Sequence, residues 1–175
     1  MNFEIKIKKY IFFHNKKIKI NSKEIKKGDV FLALHGKNSH GNNYIKSALK
    51  KGAKYCITDK KEKKIDINNV LCVNNIFNLL RELAYEKRLL FKGQVIGITG
   101  SAGKTTLKET LAYFLKNKYK ISFSIKSYNN ELGILISILN LNLKSKFAIF
   151  EIGTNNFGEI KNLTNIVKPH QVFIT

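Results

Sequence analysis

Proline is almost absent: Pro169 is the only one in 175 residues. Element ends must therefore be read from glycine, asparagine and clusters of charge. Cysteine is scarce, with two residues, which excludes a disulfide-framed secreted domain. Cys56 and Cys72 are each flanked by apolar residues, and no C-x-x-C or histidine partner accompanies them. Both read as reduced core thiols of a cytosolic protein. No apolar run reaches the length of a membrane span, and Lys6, Lys8 and Lys9 interrupt the apolar start, so neither membrane insertion nor a signal peptide is expected. Negative charge is short, 12 acidic against 32 basic residues, for a net charge of +20. Arginine is nearly missing as well, Arg81 and Arg88 being the only two. Proteins that read nucleic acids exploit the bidentate, stacking guanidinium. Here lysines are scattered end to end among asparagine and isoleucine. The charge reads as compositional bias spread over solvated faces, and no specific nucleic-acid partner is expected.

What is present suits a folded α/β protein. Hydrophobic residues make up 43%, enough for a core. Residues 29–34 (DVFLAL), 54–58 (KYCIT) and 70–73 (VLCV) read as strands. Residues 43–51 have helical spacing, with Tyr44, Ile45, Ala48 and Leu49 apolar, and Gly52 stops that helix. The stretch DKKEKKIDINN reads as a solvated loop or hairpin. Asn74 or Asn75 can cap a helix reaching about Phe91, with Leu79, Leu80, Leu83, Ala84 and Leu90 on its buried side.

At Lys92-Gly93 the rhythm changes. Strands at 94–99, 120–125, 147–152 and 171–175 alternate with helices at 104–117, 131–139 and 158–167. Continuous apolar strands separated by helices predict a mostly parallel sheet covered on both faces. The expected architecture is a small N-terminal α/β domain, residues 1–92, followed by a doubly wound phosphate-loop sheet domain, residues 93–175. The chain stops on the strand VFIT, where such a domain seldom ends, so the second domain is expected to be incomplete.

The stretch GITGSAGKTT (97–106) carries chemistry. A strand ends at Thr99, Gly100-Ser101-Ala102-Gly103 forms a loop, and Lys104-Thr105-Thr106 opens a helix. Glycines let backbone N–H groups close on phosphate oxygens, and the helix N-terminus adds partial positive charge. Lys104 can neutralise β/γ oxygens, and the Thr105 hydroxyl can ligate Mg²⁺. Ile98 stands where the longer phosphate-loop pattern has a glycine. Glu151, at the end of the strand AIFEI, is placed to serve a metal-bound nucleotide, since open parallel sheets bind ligands at the carboxyl ends of their strands. Asn129 and Asn130 either face a polar ligand or cap the next helix. Asn156 is a plausible cap, with Glu159 completing a capping box. His14, His35, His40 and His170 lack metal spacing and read as structural or surface residues.

Three stretches in order, TGSAGKTTLKE (99–109), NNELG (129–133) and FEIGTNNFGEI (150–160), resemble the Mur ligases. Residues 21–53 are similar to that family's N-terminal domain. Within the family the pattern is nearest the branch that joins D-alanyl-D-alanine to UDP-MurNAc-tripeptide. The Mur-type loop is the shorter G-x-x-G-K-[ST], beginning at Gly100, which accounts for Ile98. The resemblance implies ATP and Mg²⁺ as cofactors. It places ATP phosphates on Gly100, Ser101, Ala102, Gly103, Lys104, Thr105 and Thr106, and metal on Thr105 and Glu151. Lys104 would be catalytic. Asn129, Asn130 and Asn155 would lie on the substrate side, and Ser22 and Lys23 would hold the uridine diphosphate end. It further implies a cytoplasmic monomer acting on UDP-MurNAc-peptide and D-alanyl-D-alanine through an acyl phosphate. The chain as given is expected to be catalytically incomplete, because the family's further metal-site, adenine and amino-substrate residues fall outside these stretches.

Several residues depart from the family pattern. Lys23 replaces an arginine, Ser127 an asparagine, Leu135 a proline and Asn156 a histidine, while His40-Gly41-Asn42 stands where D-G-H is usual. These bear on substrate contacts more than on ATP contacts. The rival readings are a Mur ligase adding a diamino acid, a basic nucleic-acid binder with an incidental phosphate loop, and an inactive remnant.

Overall fold

The structure, a computed structural model, describes residues 3–36, 39–61, 67–124, 129–153 and 158–175. The chain divides into two compact units, Met1–Leu80 and Arg81–Thr175.

In the first unit four strands pair in parallel in chain order: β1 (Ile18–Lys19), β2 (Val30–Ala33), β3 (Tyr55–Thr58) and β4 (Val70–Cys72). All of β2 and β3 is buried, as expected for central strands covered on both faces. Strand side chains alternate. Phe31, Ala33 and Cys56 pack under helix α2 (Ile45–Lys50) with Ile45 and Ala48. Tyr55 faces the other way and meets Phe3 and Tyr10 edge-on, at 5.8 and 5.2 Å between ring centroids.

Those two rings belong to helix α1 (Phe3–Phe13), which is not evident from the lysine-interrupted sequence. Its buried residues, Ile7, Ile11 and Phe12, follow the helical period, while Lys6 and Lys9 point to solvent. Two further expectations change. Cys56 is a buried free thiol, but Cys72 is exposed, because β4 is an edge strand whose outer positions lack cover. The parallel pairing of β4 with β3 also rules out a hairpin between them.

Helix α3 (Ile76–Leu90) begins where Asn75 Oδ1 accepts from Asn78 N at 3.0 Å. Its buried side includes Leu80, Leu83 and Ala84, whereas Leu90 is exposed. Sequence rhythm puts the boundary near residue 92, but the units divide inside this helix. The reason is polar: buried Lys87 donates to Leu139 O, and Arg88 donates to Val167 O (2.6 Å) and Lys168 O (2.7 Å). The end of α3 therefore belongs with the second unit.

The second unit has β5 (Gln94–Thr99), β6 (Ile121–Phe123), β7 (Phe147–Glu151) and β8 (Gln171–Ile174), parallel and ordered β6-β7-β5-β8. Helices α4 (Lys104–Lys116), α5 (Glu131–Leu139) and α6 (Glu159–Val167) connect them. The chain first moves from β5 outward to β6, then returns through β7 to β8 on the far side. Right-handed crossovers therefore put α4 on one face and α5 and α6 on the other. Direction reverses between β5 and β7, which opens a crevice at their carboxyl ends. Ile98 is fully buried beneath α4 with Ile96, Ala112 and Ile149.

Candidate functional site

Everything expected of the phosphate loop meets in that crevice. β5 ends at Thr99, and Gly100 turns the chain at φ 135°, where a side chain would also strike Thr175, whose carbonyl lies 2.0 Å from the position of a Cβ. Gly103, at φ 76°, is the N-cap of α4. It brings no side chain to the helix end, so the first-turn N–H groups of Lys104, Thr105 and Thr106 lie at the N-terminus of the macrodipole. Lys104 Nζ folds back onto Gly100 O at 2.7 Å, over the loop that would carry phosphate. Ser101, Ala102 and Thr106 are exposed. Thr175, at the end of β8, braces the loop from beside it. Its N–H donates to Thr99 O (2.9 Å), its hydroxyl to Ala102 O, and its carbonyl accepts from Ser101 N (3.2 Å).

One strand over, Glu151 pairs in register with Ile98. On β7 the side chains of Phe147, Ile149 and Glu151 share a face by strict alternation. Phe147 and Ile149 belong to the cluster under α4, so Glu151 continues that row into the first turns of α4. There the Thr105 hydroxyl donates to Glu151 Oε2 at 2.9 Å, and Lys108 Nζ approaches the same oxygen at 3.4 Å. Glu151 is 2% exposed, so this strand-end carboxylate does not face solvent.

A cavity of about 670 Å³ opens beside the loop, bounded by Thr99, Gly100, Lys104, Asn129, Asn130 and Gly153. Asn130 is the N-cap of α5, its Oδ1 accepting from Gly133 N at 2.9 Å. The capping alternative holds for this residue, and it also lines the cavity. Asn129 O accepts from Gly153 N at 3.1 Å. Its side chain lies over Gly153, where a Cβ would come within 2.6 Å of Nδ2. The N-cap of α6 is Gly158, at φ 85° and with no side-chain cap, so the box attributed to Asn156 and Glu159 does not start this helix. Glu159 instead lines the cavity. A second cavity of about 410 Å³ shares Asn130 and Glu159, and in it Arg81 grips Glu131 through two bonds of 2.6 and 3.1 Å.

Asn155, with Asn156 and Ser127, lies outside the described residues. Ser22 and Lys23 belong to the first unit, on a short 3-10 turn that Asn21 caps by accepting from Lys23 N at 2.9 Å. Ser22 is buried and Lys23 exposed. Sequence reasoning missed Lys108. The available signal is a lysine on the stripe Thr105, Lys108, Ala112 and Leu115, whose other members spaced at three and four residues face the sheet. The histidines are structural where their bonds are described. His40 Nδ1 accepts from Asn42 N at 3.1 Å, which leaves Nε2 to donate to Asp59 Oδ1 at 3.0 Å. His170 Nδ1 accepts from Val95 N at 2.9 Å. Among the described residues, no three His, Cys, Asp or Glu side chains form a metal cluster.

Two family descriptions match the chain: "Mur ligase family, catalytic domain" over residues 14–92, and "Mur ligase middle domain" over residues 98–175. The chain belongs to the Mur ligase family. Among curated Mur ligases, the UDP-N-acetylmuramoyl-tripeptide–D-alanyl-D-alanine ligase of Rickettsia prowazekii is 41% identical over 90% of this chain and 35% of its own length. The enzyme of the same name from Buchnera aphidicola (subspecies Baizongia pistaciae) is 34% identical over 83% of this chain and 32% of its own. Among solved structures, MurF ligase from Thermotoga maritima, in complex with ADP, superposes with a TM-score of 0.72 at 35% identity, covering 91% of this chain and 36% of that one. MurF from Acinetobacter baumannii gives 0.74 at 31% identity, covering 90% and 35%. The chain thus spans about a third of the length of the relatives it matches.

Proposed function

We propose that the second unit grips the triphosphate of ATP with Mg²⁺, and that the chain serves a MurF-type ligase of cell-wall precursor synthesis. The observation that carries this reading is the meeting of the Gly100–Thr106 loop, Lys104, and the Thr105–Glu151 hydrogen bond at the switch point of a parallel sheet. Curated relatives named for UDP-N-acetylmuramoyl-tripeptide and D-alanyl-D-alanine, and a structural neighbour in complex with ADP, support the substrate assignment.

In the proposed reaction, a carboxylate oxygen of UDP-MurNAc-tripeptide attacks the γ-phosphorus and ADP leaves. The amine of D-alanyl-D-alanine then attacks the acyl carbon of the mixed anhydride, phosphate leaves, and the nitrogen loses a proton. Lys104 would swing from Gly100 O to the β/γ oxygens and stabilise charge on the transferring phosphoryl group. The N–H groups opening α4 would hold the phosphates still, so the protein contributes position and electrostatics.

A carboxylate and a hydroxyl 2.9 Å apart are the hard oxygen donors that Mg²⁺ takes one or two at a time, so Thr105 and Glu151 fit it. When bound, Mg²⁺ supplies further neutralisation of the phosphate oxygens. Asn129, Asn130 and Asn155 would orient the substrate carboxylate. Among the described residues only Oδ1 of Asn130 is spent, on the cap, which leaves its amide Nδ2 for this. The first unit would hold the uridine diphosphate end through Ser22 and Lys23. The protein would act as a monomer in the cytoplasm.

The test is thermal unfolding of the chain with ADP or ATP, with and without Mg²⁺. Nucleotide at a hundredfold excess over Kd adds about 2.7 kcal/mol, or roughly 5–10 °C in a chain of this size. Lys104→Ala should weaken binding roughly 30- to 150-fold, the loss of a charged hydrogen bond of about 2–3 kcal/mol. No nucleotide-dependent shift in the wild-type chain, or an undiminished shift in Lys104→Ala, would sink the reading.

A further inference from the structure

Lys108 has no part in the function argued so far, yet its side chain is 0% exposed and its ammonium sits in the seam between α4 and β7. Burying an ammonium is costly. An apolar residue at this position would simply extend the stripe of Ala112 and Leu115 against the sheet. The ion pair with Glu151, 3.4 Å long and 0% and 3% exposed on its two sides, therefore points to a task at that carboxylate.

The bonding pattern indicates the task. Both Lys108 and Thr105 end on Oε2 of Glu151. A carboxylate only accepts, so the Thr105 hydroxyl must donate its proton to Glu151. Its oxygen lone pairs are then turned away from Glu151. Rotation of the Glu151 side chain would release the hydroxyl, and Lys108 resists that rotation from the buried side. Lys108 and Thr105 stand three residues apart on one face of α4, so a single helix presents both groups to the one oxygen.

We propose that Lys108 is a positioning residue acting through Glu151. Its ammonium fixes Oε2, Oε2 fixes the Thr105 proton, and the Thr105 oxygen is thereby held ready for the divalent cation that accompanies the nucleotide. This rests on the nucleotide reading above and deepens it.

The readout is the Mg²⁺-dependent gain in ATP affinity, measured by titration calorimetry as the ratio of Kd without to Kd with Mg²⁺. In Lys108→Met, of similar length and apolar, that gain should fall at least tenfold more than the Mg²⁺-free affinity does. Lys108→Arg, which keeps a cation at the seam, should recover part of the gain. Lys108→Met leaves Glu151 buried without its cation, so a second variant guards against a folding defect. Lys108→Met with Glu151→Gln removes both charges and should melt near the wild type, which shows that an apolar residue at 108 leaves the unit folded; its own loss of the gain follows from the missing Glu151 carboxylate. A Lys108→Met chain that keeps the wild-type gain overturns the inference, as does one in which Mg²⁺-free and Mg²⁺-bound affinities fall together. Absence of any ATP binding by the wild-type chain overturns the functional reading, and this inference with it. Wild-type binding with an unchanged gain in Lys108→Met overturns only the inference.

Discussion

Arg88→Met should release helix α6 from helix α3. Arg88 is 8% exposed, and its guanidinium donates to the last carbonyls of α6, to Val167 O at 2.6 Å and to Lys168 O at 2.7 Å. Burial lowers the Arg88 pKa, yet arginine starts so high that it stays charged. Helix C-termini leave carbonyls without intrahelical partners, and a cation there also opposes the macrodipole. Lys168 closes the helix in the left-handed region at φ 46°, a geometry that costs a non-glycine residue about 1 kcal/mol and persists only when its surroundings hold it. Two hydrogen bonds from a charged donor contribute about 1.5–3 kcal/mol each. Relief of the arginine's own desolvation offsets part of their loss, for a net cost of about 3 kcal/mol. At roughly 4–8 °C per kcal/mol for a unit of this size that is a fall of roughly 12–24 °C in the Tm of the second unit, followed by calorimetry. Hydrogen exchange should quicken in α6 more than in α4. Arg88→Lys can reach one carbonyl at a time and should recover about half. An Arg88→Met protein within 2 °C of the wild type, with unchanged exchange in α6, would refute the reasoning.

Gly100→Ala should abolish the nucleotide-dependent rise in Tm while leaving the first unit folded, because its Cβ would stand 2.0 Å from Thr175 O at a φ of 135°. A normal nucleotide shift in that variant would show that the loop binds phosphate in some other conformation. The two thiols should separate cleanly in a thiol-reagent titration at pH 8.5, Cys72 reacting at once and Cys56 only on unfolding. Burial pushes the Cys56 thiol up to about 12 from an ordinary 9.0, so it stays protonated and unreactive. The sign for stability follows: the unfolded thiol ionises first, so what the neutral buried thiol contributes is present below pH 9.0 and lost as pH climbs toward about 12. Cys56→Ala should flatten the alkaline limb of a stability profile over that window, and an unchanged limb would count against it.

Local signals made most of the second unit legible in advance. Helix α5 runs over Glu131–Leu139, as its apolar spacing and the preceding asparagine cap imply. The turn from Gly100 could be read because its glycines and the following Lys-Thr-Thr lie within one strand-turn-helix. Helix α1 was hidden by its lysines, since Ile7 and Ile11 declare a face only once β3 is there to receive it. Cys72 and Leu90 look like core residues by neighbourhood, and both are exposed because cover at an edge strand or a helix end depends on what packs beside it. Asn130 could not be placed from sequence alone, because it caps α5 and also lines the cavity beside the loop.

By itself, the sequence determined that this chain builds parallel α/β sheets and that a glycine-rich turn follows Thr99 and opens a helix at Lys104. These follow from periodicity and from bonds that span a few residues. Only the tertiary structure decided that the end of α3 joins the second unit, where Lys87 and Arg88 reach carbonyls 52 and 79 residues away. Only it showed that Lys108 lies buried against Glu151, 43 residues on. In a lysine-rich chain, one lysine on an apolar stripe is easily passed over. Its cost and its use appear when the sheet brings a carboxylate to it and removes the water from both.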